Sequence, residues 1–271
     1  MSWNQFEYSS NDGRPVTLYE FVRSGEKYYR YTNADRNIDF NNECWSAIAI
    51  SNTGLSMGTG SSLEITLPTD SDIAKLYRGI PPSSAVLIYI YQLHEHDEDI
   101  DFRVVWVGKV REVKREALDR TKLITASVAS TFERNGLRLT YGRSCPYALY
   151  DHNCRVKKDE YALADIEIIE LDGANITVAL SNNIEDGYFT GGYIEWVVDG
   201  IKEMRGLKTQ SAGKMGLLGG THGLKVGMII TIFPGCDRTI KTCNKKFANH
   251  LNYGGQPHIP GISPFQIIKL F

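Results

Sequence analysis

Apolar and polar residues alternate with a period of two along much of the chain, which is the pattern of β-strands that bury one face. Many of the apolar positions hold β-branched or aromatic residues, which favour strands. The alternating segments are SSLEITLP (61–68), AVLIYIYQL (85–93), FRVVWVGKV (102–110), TKLITASVA (121–129), DIEIIEL (165–171), NITVAL (175–180), YIEWVVDG (193–200) and GMIITIF (227–233). The pattern therefore predicts a mainly β protein whose strands are mostly antiparallel.

Two short segments carry the signals of helix ends. Residues 69–71 (Thr-Asp-Ser) offer an N-cap ahead of DIAKLYRG and Gly79 offers a stop, so the sequence predicts a helix of about two turns there. A second short helix is predicted after Asp237. Helices are therefore expected to be a minor part of the fold.

The strand alternation stops near residues 130–136, which we interpret as a domain boundary. The chain has 271 residues, enough for two domains that each bury a core. The predicted parts are an N-terminal β domain (1–133) and a second domain (134–271), in which cysteine-containing segments (137–158 and 234–265) enclose a β-block (about 162–233).

Charge and hydropathy exclude several classes of partner. The formal net charge is −2, and acidic and basic residues are mixed along the chain, which argues against a general binder of nucleic acid or membrane surfaces. The N-terminus MSWNQFEYSS has no cationic start followed by an apolar run, and no stretch approaches the roughly 20 apolar residues that span a bilayer. We therefore expect a chain made in a cytosol, with no membrane partner and no sequence-specific nucleic-acid partner.

Four of the five cysteines form two pairs that bracket the second β-block. Cys145 and Cys154 precede it, and Cys236 and Cys243 follow it. Because an antiparallel module tends to bring its ends together, both pairs are expected to converge. Four converging thiolates form a tetrahedral metal site or an iron–sulfur site. If the segment around Cys236 and Cys243 is helical throughout, these two also share one helix face.

The cysteine spacing leaves the kind of site open. Neither pair has the short C-x2–4-C spacing of zinc knuckles, whereas iron–sulfur clusters accept wider spacings, and Cys145-Pro146 resembles the Cys-Pro step of some cluster segments. Disulfides and buried free thiols are the alternatives, although a reducing cytosol disfavours disulfides. Cys44, beside Trp45, is interpreted as a small core residue.

Basic residues flank both cysteine pairs. Positive charge would lower thiol pKa values and offset a net-negative cluster, while the alternatives are solvated lysines or a local phosphate-binding patch. These residues are Arg143, Arg155, Lys157 and Lys158 beside the first pair, and Arg238, Lys241, Lys245 and Lys246 beside the second.

Other segments carry weaker signals. HEHDED (94–99) is interpreted as a hairpin loop, with a metal site as the minor alternative. GKMGLLGGTHG (213–223) has no Walker pattern and is interpreted as a long β-loop. ANHLNYGGQPHIPGISPF (248–265) is rich in Gly, Pro and Asn and predicts an extended strap over the cysteine site, anchored by Tyr253 and Phe265.

No local signature pairs a cysteine with a histidine as nucleophile and base, so the sequence favours a protein that is not an enzyme. The histidines in question are His152, His222, His250 and His258.

Two motifs, in order, carry a resemblance to a known family. YGRSCPYALYDHNCRV (141–156) and PGCDRTIKTCNKKFANHLNYGGQPHIPG (234–261) resemble the phage tail-tip hub family, which includes the tail tip protein L of lambda-like siphophages and the hub protein of gene transfer agents. The resemblance is close over residues 137–261 and weaker over residues 1–130.

The resemblance implies a fold and a cofactor. The fold is two tail-tube-like β-barrel or sandwich hub domains with a small, partly helical, four-cysteine segment. The cofactor is a [4Fe–4S] cluster held by Cys145, Cys154, Cys236 and Cys243, with zinc as the fallback metal. No catalytic residue is implied.

The resemblance also implies a role in the bacteriophage virion. A homotrimer in the tail tip or baseplate would join the distal tail tube to the central fibre or receptor-binding tip. Its partners would be a distal tail protein or tube-end ring, the central fibre or tip protein, and a tape-measure protein, and DNA would pass through the ring. Viral tail assembly would take place in the bacterial host cytoplasm.

Two other functions compete with this role. One is a redox-responsive iron–sulfur or zinc protein whose cluster gates rearrangement of the tip during DNA ejection. The other is a thiol-dependent hydrolase.

Overall fold

The strands of the computed structural model fall into two groups along the chain, and each group surrounds a hydrophobic core of its own. The structure describes residues 3–9, 13, 15–55, 62–94, 102–133, 136, 139, 141–180 and 184–260. It divides into two units, residues 1–134 and residues 135–271.

Nine strands in the described part of the first unit form one sheet. They are β1 (Pro15–Arg23), β2 (Lys27–Thr32), β3 (Ile38–Phe40), β4 (Glu43–Ala47), β5 (Ser51–Asn52), β6 (Glu64–Pro68), β7 (Val86–His94), β8 (Phe102–Arg115) and β9 (Arg120–Ser127). Their order across the sheet is β3-β4-β2-β1-β7-β8-β9-β6-β5. Apart from the parallel contact of β2 with β4, the described pairs are antiparallel.

Alternation along these strands builds the core of the first unit. In β9, Thr121, Leu123, Thr125 and Ser127 are buried while the residues between them are more exposed. Trp106 of β8 is the largest fully buried side chain. The sheet therefore buries the faces that the period-two pattern predicts.

Short helical segments accompany the sheet. They are α1 (Trp3–Tyr8), α2 (Asp72–Leu76) and a 3-10 turn (Val128–Thr131). In α2, the Ser71 hydroxyl accepts a hydrogen bond from the Ala74 amide at 3.4 Å, and Ile73 and Ala74 are fully buried. The helix predicted after residues 69–71 is thus confirmed.

Six described strands of the second unit form a closed barrel. They are β10 (Leu163–Asp172), β11 (Asn175–Val178), β12 (Tyr193–Val198), β13 (Ile201–Ser211), β14 (Lys214–Leu217) and β15 (Ile229–Phe233), in the order β10-β11-β14-β13-β12-β15. The barrel is filled by fully buried apolar side chains, among them Ile168, Ile176, Ile194, Met215 and Ile232.

Closure of the barrel brings distant parts of the chain together. The first strand, β10, pairs antiparallel with the last, β15, and Leu163 lies opposite Ile232. The segment that enters β10 and the segment that leaves β15 therefore meet at the same end of the barrel. Beyond the barrel lie α3 (Ile240–Phe247) and 3-10 turns at Lys158–Glu160 and His250–Asn252.

The mainly β, mostly antiparallel fold predicted from the alternation is confirmed, with a large sheet and a barrel. In the part of the chain that the structure describes, no helix has the length and apolar character needed to cross a membrane.

Two local interpretations are wrong. Cys44 is exposed, because Trp45 takes the inward position of β4, and a hydrogen bond with Asp39 raises the pKa of the Cys44 thiol. Residues 213–223 are not only loop, since they contain β14. Its glycine Gly216 conceals the strand pattern, and a Cβ there would lie 2.5 Å from the Thr209 hydroxyl oxygen.

The metal alternative for residues 94–99 lies outside the described residues, apart from His94. This histidine is buried at the end of β7 and stacks on Phe6, with ring centroids 5.2 Å apart. Its Nε2 lies 3.0 Å from Glu7 Oε1. His94 is therefore a packed residue of the strand end.

Candidate metal centre

The four paired cysteines line one cavity of about 170 Å³ at the end of the barrel where β10 and β15 meet. Cys154 and Cys243 are buried, and Cys145 and Cys236 are half-buried. The other lining residues are Tyr147, Ala148, Leu149, Val156, Gly191, Arg238, Phe247, Asn249, Asn252 and Tyr253. The structure thus brings together cysteines that are far apart in sequence.

Asp151 shapes the loop that carries the first pair. Its carboxylate accepts hydrogen bonds from the Cys154 amide at 2.6 Å and from the Ala148 amide at 3.2 Å. Its carbonyl accepts one from the Arg155 amide at 2.9 Å. An aspartate that bonds nearby backbone amides in this way stabilises a tight turn, and here the turn directs Cys154 into the cavity.

The second pair lies partly in a loop and partly in α3. Helix α3 starts after Thr239, whose hydroxyl accepts a hydrogen bond from the Thr242 amide at 3.2 Å. Cys243 and Phe247, one turn apart, form its buried face. Cys236 precedes the helix, so the segment is not helical throughout and the condition under which Cys236 and Cys243 would share one helix face is not met. The predicted helix itself is confirmed.

Backbone and side-chain hydrogen bonds join the two segments directly. The Cys145 amide donates to the Arg238 carbonyl at 3.0 Å, and the Asn249 side chain donates to the Cys154 carbonyl at 2.6 Å. The Tyr253 hydroxyl lies 2.6 Å from the Arg143 carbonyl oxygen. These hydrogen bonds therefore fix the positions of the two cysteine-containing segments relative to each other.

Aromatic side chains separate the cavity from the barrel. The Tyr150 hydroxyl donates to the Pro234 carbonyl at 2.7 Å, and its ring packs edge-on against Phe233 and Phe247. Burial raises the pKa of Tyr150, with neighbouring tyrosines and cysteines adding to the effect. These aromatic contacts join the first cysteine loop to the end of β15 and to α3.

The glycine-rich strap passes close to the first segment. A Cβ on Gly254 would lie 2.4 Å from the ring of Tyr147, and one on Gly255 would lie 2.7 Å from the Arg143 carbonyl oxygen. Only glycine allows this approach. The described part of the strap lies against the cysteine site, and Tyr253 is an anchor; Phe265 lies outside the described residues.

Burial and neighbouring cysteines shift the pKa values of thiols in the cavity. Burial, together with the charges of Cys236, Cys154 and Cys145, raises the pKa of Cys243 to about 11. Burial also raises the pKa of Cys236, opposed by the Arg238 amide, which donates to the Cys236 sulfur at 3.3 Å. Without a bound cation, burial therefore favours the thiol over the thiolate at Cys236 and Cys243.

Few of the flanking basic residues act on the cavity directly. Three are engaged by carboxylates, and of the basic side chains in the described residues only Arg238 lines the cavity. The engaged pairs are Lys157 with Glu160 at 3.2 Å, Lys158 with Glu195 at 3.4 Å and Lys245 with Glu185 at 3.4 Å.

Lys246 is different because it is half-buried in contact with the barrel. Its ammonium lies 4.2 Å from the centre of the Tyr188 ring and donates to the carbonyls of Tyr188 and Gly235. Burial lowers its pKa, while the charges of Cys236 and Asp237 oppose that effect.

The four cysteines that line the cavity are the kind of donor set that binds zinc or an iron–sulfur cluster in proteins. In zinc sites each thiolate lies about 2.3 Å from the metal, so the sulfurs crowd around one point. Among the described residues, no three His, Cys, Asp or Glu side chains are grouped to hold one metal ion. The cavity is several times the roughly 30 Å³ that a water molecule occupies in the liquid. A cavity of this size lined by four cysteines has room for more than a single water molecule.

No histidine of the described chain lines this cavity, and His152, His222, His250 and His258 are all exposed. The cavity therefore shows no thiol–imidazole arrangement. Neither the strand alternation nor the cysteine spacing indicates Asp151 or Asn249, which hold the cysteine loops. The only signal for Asn249 was its place directly after the end of a short helix.

Two family models match this chain, and each match includes one of the two cysteine pairs. Residues 8–157 match the model for "Baseplate hub protein, N-terminal attachment domain", which includes Cys145 and Cys154 and more than half of the chain. The chain belongs to the baseplate hub protein family. In this hub protein, residues 187–262, with Cys236 and Cys243, match the model for "Phage conserved hypothetical protein BR0599".

One solved structure shares the fold of this chain. A chain in the virion of a native gene transfer agent particle has a TM-score of 0.78 at 22% identity, over 98% of this hub protein and 94% of that chain. The PlzA protein of Borreliella burgdorferi in complex with c-di-GMP has 12% identity and a TM-score of 0.20, over 88% of this chain and 87% of that chain, too low to support an argument. A search of the curated proteins found no match.

Proposed function

We propose that this baseplate hub protein joins the distal tail tube to the central fibre or receptor-binding tip, and that Cys145, Cys154, Cys236 and Cys243 hold a structural [4Fe–4S] cluster. The observation that carries the proposal is the convergence of the two cysteine pairs on one cavity. The family membership supports the place in the virion.

The cysteines would stabilise the barrel by cross-linking the segments that enter and leave it. Joining them closes a loop of roughly 90 residues, and closing a loop of that size removes much entropy from the unfolded chain. When bound, the cluster would supply iron–thiolate bonds that favour the folded state. Hydrogen bonds of Asp151 and Asn249 to the backbone of Cys154 support the proposal for that cysteine.

The role is structural in this proposal, without enzymatic activity. Three copies would form a ring at the tail tip, with a distal tail protein or tube-end ring on one side and a central fibre or tip protein on the other. A tape-measure protein and DNA would pass through it. The chain would be made and assembled in the cytoplasm of the bacterial host.

The test is native mass spectrometry together with iron, zinc and acid-labile sulfide analysis of anaerobically purified protein. We expect trimers with about four irons and four sulfides per chain, as the cluster formula requires. Cys145→Ser and Cys243→Ser each remove a ligand and should lose the iron. Cys44→Ser is the matched control, because Cys44 is exposed in the first unit, and it should keep the full iron content.

The outcomes separate the parts of the proposal. One zinc per chain, lost in Cys145→Ser and Cys243→Ser, would keep the four-cysteine site and replace the cluster. No metal would refute the ligand assignment. A monomer that carries the cluster would refute the trimer alone.

A further inference from the structure

Asn249 contacts one cysteine of each pair. It lies directly after α3, where Ala248 adopts a left-handed conformation with φ of 47° and ends the helix. The main-chain amide of Asn249 donates to the Cys243 carbonyl at 3.0 Å. Its side-chain nitrogen donates to the Cys154 carbonyl at 2.6 Å and lies 3.9 Å from the Cys154 sulfur.

The orientation of this amide is set by a neighbour. The Asn252 side chain donates to Asn249 Oδ1 at 2.6 Å, and the Asn252 main-chain amide donates to the Asn249 carbonyl at 3.1 Å. With its oxygen occupied by Asn252, the Asn249 amide presents its nitrogen to Cys154. The reverse orientation would place two oxygens, Asn249 Oδ1 and the Cys154 carbonyl, against each other.

Two N–H groups in the described residues thus lie near cysteine sulfurs of the cavity. One is the Arg238 amide, 3.3 Å from the Cys236 sulfur, and the other is the Asn249 side chain. Donors at ligating sulfurs stabilise negative charge there, and such hydrogen bonds help to set cluster potentials. Arg238 acts through the main chain, so a side-chain substitution leaves its donor in place.

We propose that Asn249 is a positioning residue of the metal centre, which holds Cys154 against Cys243 and donates a hydrogen bond toward the Cys154 sulfur. This inference rests on the proposed cluster site. Because reduction adds negative charge to the sulfurs, the Asn249 donor favours the reduced state and raises the reduction potential of the centre.

The test compares three variants of the full-length chain. Asn249→Leu keeps approximately the side-chain shape and removes the donor without adding charge. Asn249→Asp removes the donor and adds a negative charge. Asn244→Asp is the matched control, since Asn244 is exposed on α3 and the substitution adds the same charge at a residue that does not line the cavity.

Each protein is loaded with iron and sulfide anaerobically, and its one-electron midpoint potential is measured by titration with dithionite. Iron release to a chelator is timed on the same samples. We expect more negative potentials for Asn249→Leu and Asn249→Asp, with the larger shift for Asn249→Asp. Release should be roughly two- to tenfold faster, as expected for loss of one hydrogen bond. Asn244→Asp should match the wild type.

The outcomes distinguish this inference from the proposed function. A wild type that binds no iron removes the proposed cluster and this inference with it. A wild type with a cluster, beside Asn249 variants of unchanged potential and release rate, overturns the role of Asn249 alone. Circular dichroism verifies that each variant keeps its β structure, and if Asn249→Asp fails to fold, Asn249→Leu decides.

Discussion

At the scale of single residues, the candidate centre depends on groups that are not ligands. Asp151 fixes the turn before Cys154, and Asn249 reaches across to the same cysteine from the other segment. Gly254 lets the strap approach the Tyr147 ring. The cysteines supply sulfur, while these neighbours determine where the sulfur is.

The close approach at Gly254 makes a prediction about stability. In Gly254→Ala, a methyl group would meet the Tyr147 ring at 2.4 Å, and overpacking of this kind costs about 1–3 kcal/mol. We expect a lower free energy of unfolding, measured by urea denaturation of the metal-free protein.

Gly142→Ala is the control for that substitution. A Cβ at Gly142 has nothing within 4 Å, so alanine should be neutral there or should stabilise by up to about 1 kcal/mol. Equal stabilities of the two variants would contradict the packing of the strap against Tyr147.

At the scale of secondary structure, α3 carries Cys243 and depends on its first turn. Asp237 accepts hydrogen bonds from the Thr239 amide at 2.9 Å, from its hydroxyl at 2.8 Å and from the Thr242 hydroxyl at 2.8 Å. Thr239 in turn caps the Thr242 amide. A helix of eight residues has little stability of its own, so its cap has a large share in it.

We therefore expect Thr239→Ala to destabilise the second unit by about 1 kcal/mol, as the loss of an N-cap does. Thermal unfolding followed by circular dichroism measures the difference. Lys241→Ala is the control, because Lys241 is exposed in the same helix and is not its N-cap. An equal loss in both variants would show that the cap is not the cause.

The same scale shows what the sequence can predict. The eight alternating segments all contain strands, and in β6 and β9 the burial of the side chains alternates as the sequence does. Two long strands were not predicted. β1 is buried at seven of its nine positions, so it does not alternate, and β13 presents mostly polar residues. Burial on both faces removes the period-two signal from β1, and the scarcity of apolar residues removes it from β13.

The candidate site could likewise be predicted only in part. Convergence of the cysteines was predictable because antiparallel pairing of β10 with β15 joins the ends of the barrel. The contributions of Asp151 and Asn249 were not, since their hydrogen bonds depend on loop conformations that alternation does not encode.

At the scale of the whole molecule, each of the two units has its own hydrophobic core. The first unit has a sheet and core within residues 1–134, and the barrel and all four paired cysteines lie within residues 135–271. A unit with its own core is able to fold alone.

We therefore expect a fragment of residues 135–271 to fold and to bind the same amount of iron per chain as the full protein. The fragment of residues 1–134 should fold without iron. Iron analysis and circular dichroism of the two fragments provide the measurement. A 135–271 fragment that folds but binds no iron, beside a full chain that does, would show that the first unit takes part in the site.

Closure of the barrel at Leu163 and Ile232 also affects how the chain would respond to tension. If the four cysteines are cross-linked, tension applied to the chain between residues 141 and 260 runs through the cysteine corner and bypasses the strands. The barrel then lies outside the part of the chain that carries the force, and the hydrogen bonds between its strands are not under tension. In a baseplate hub under tension, such a cross-link would protect the barrel from unfolding.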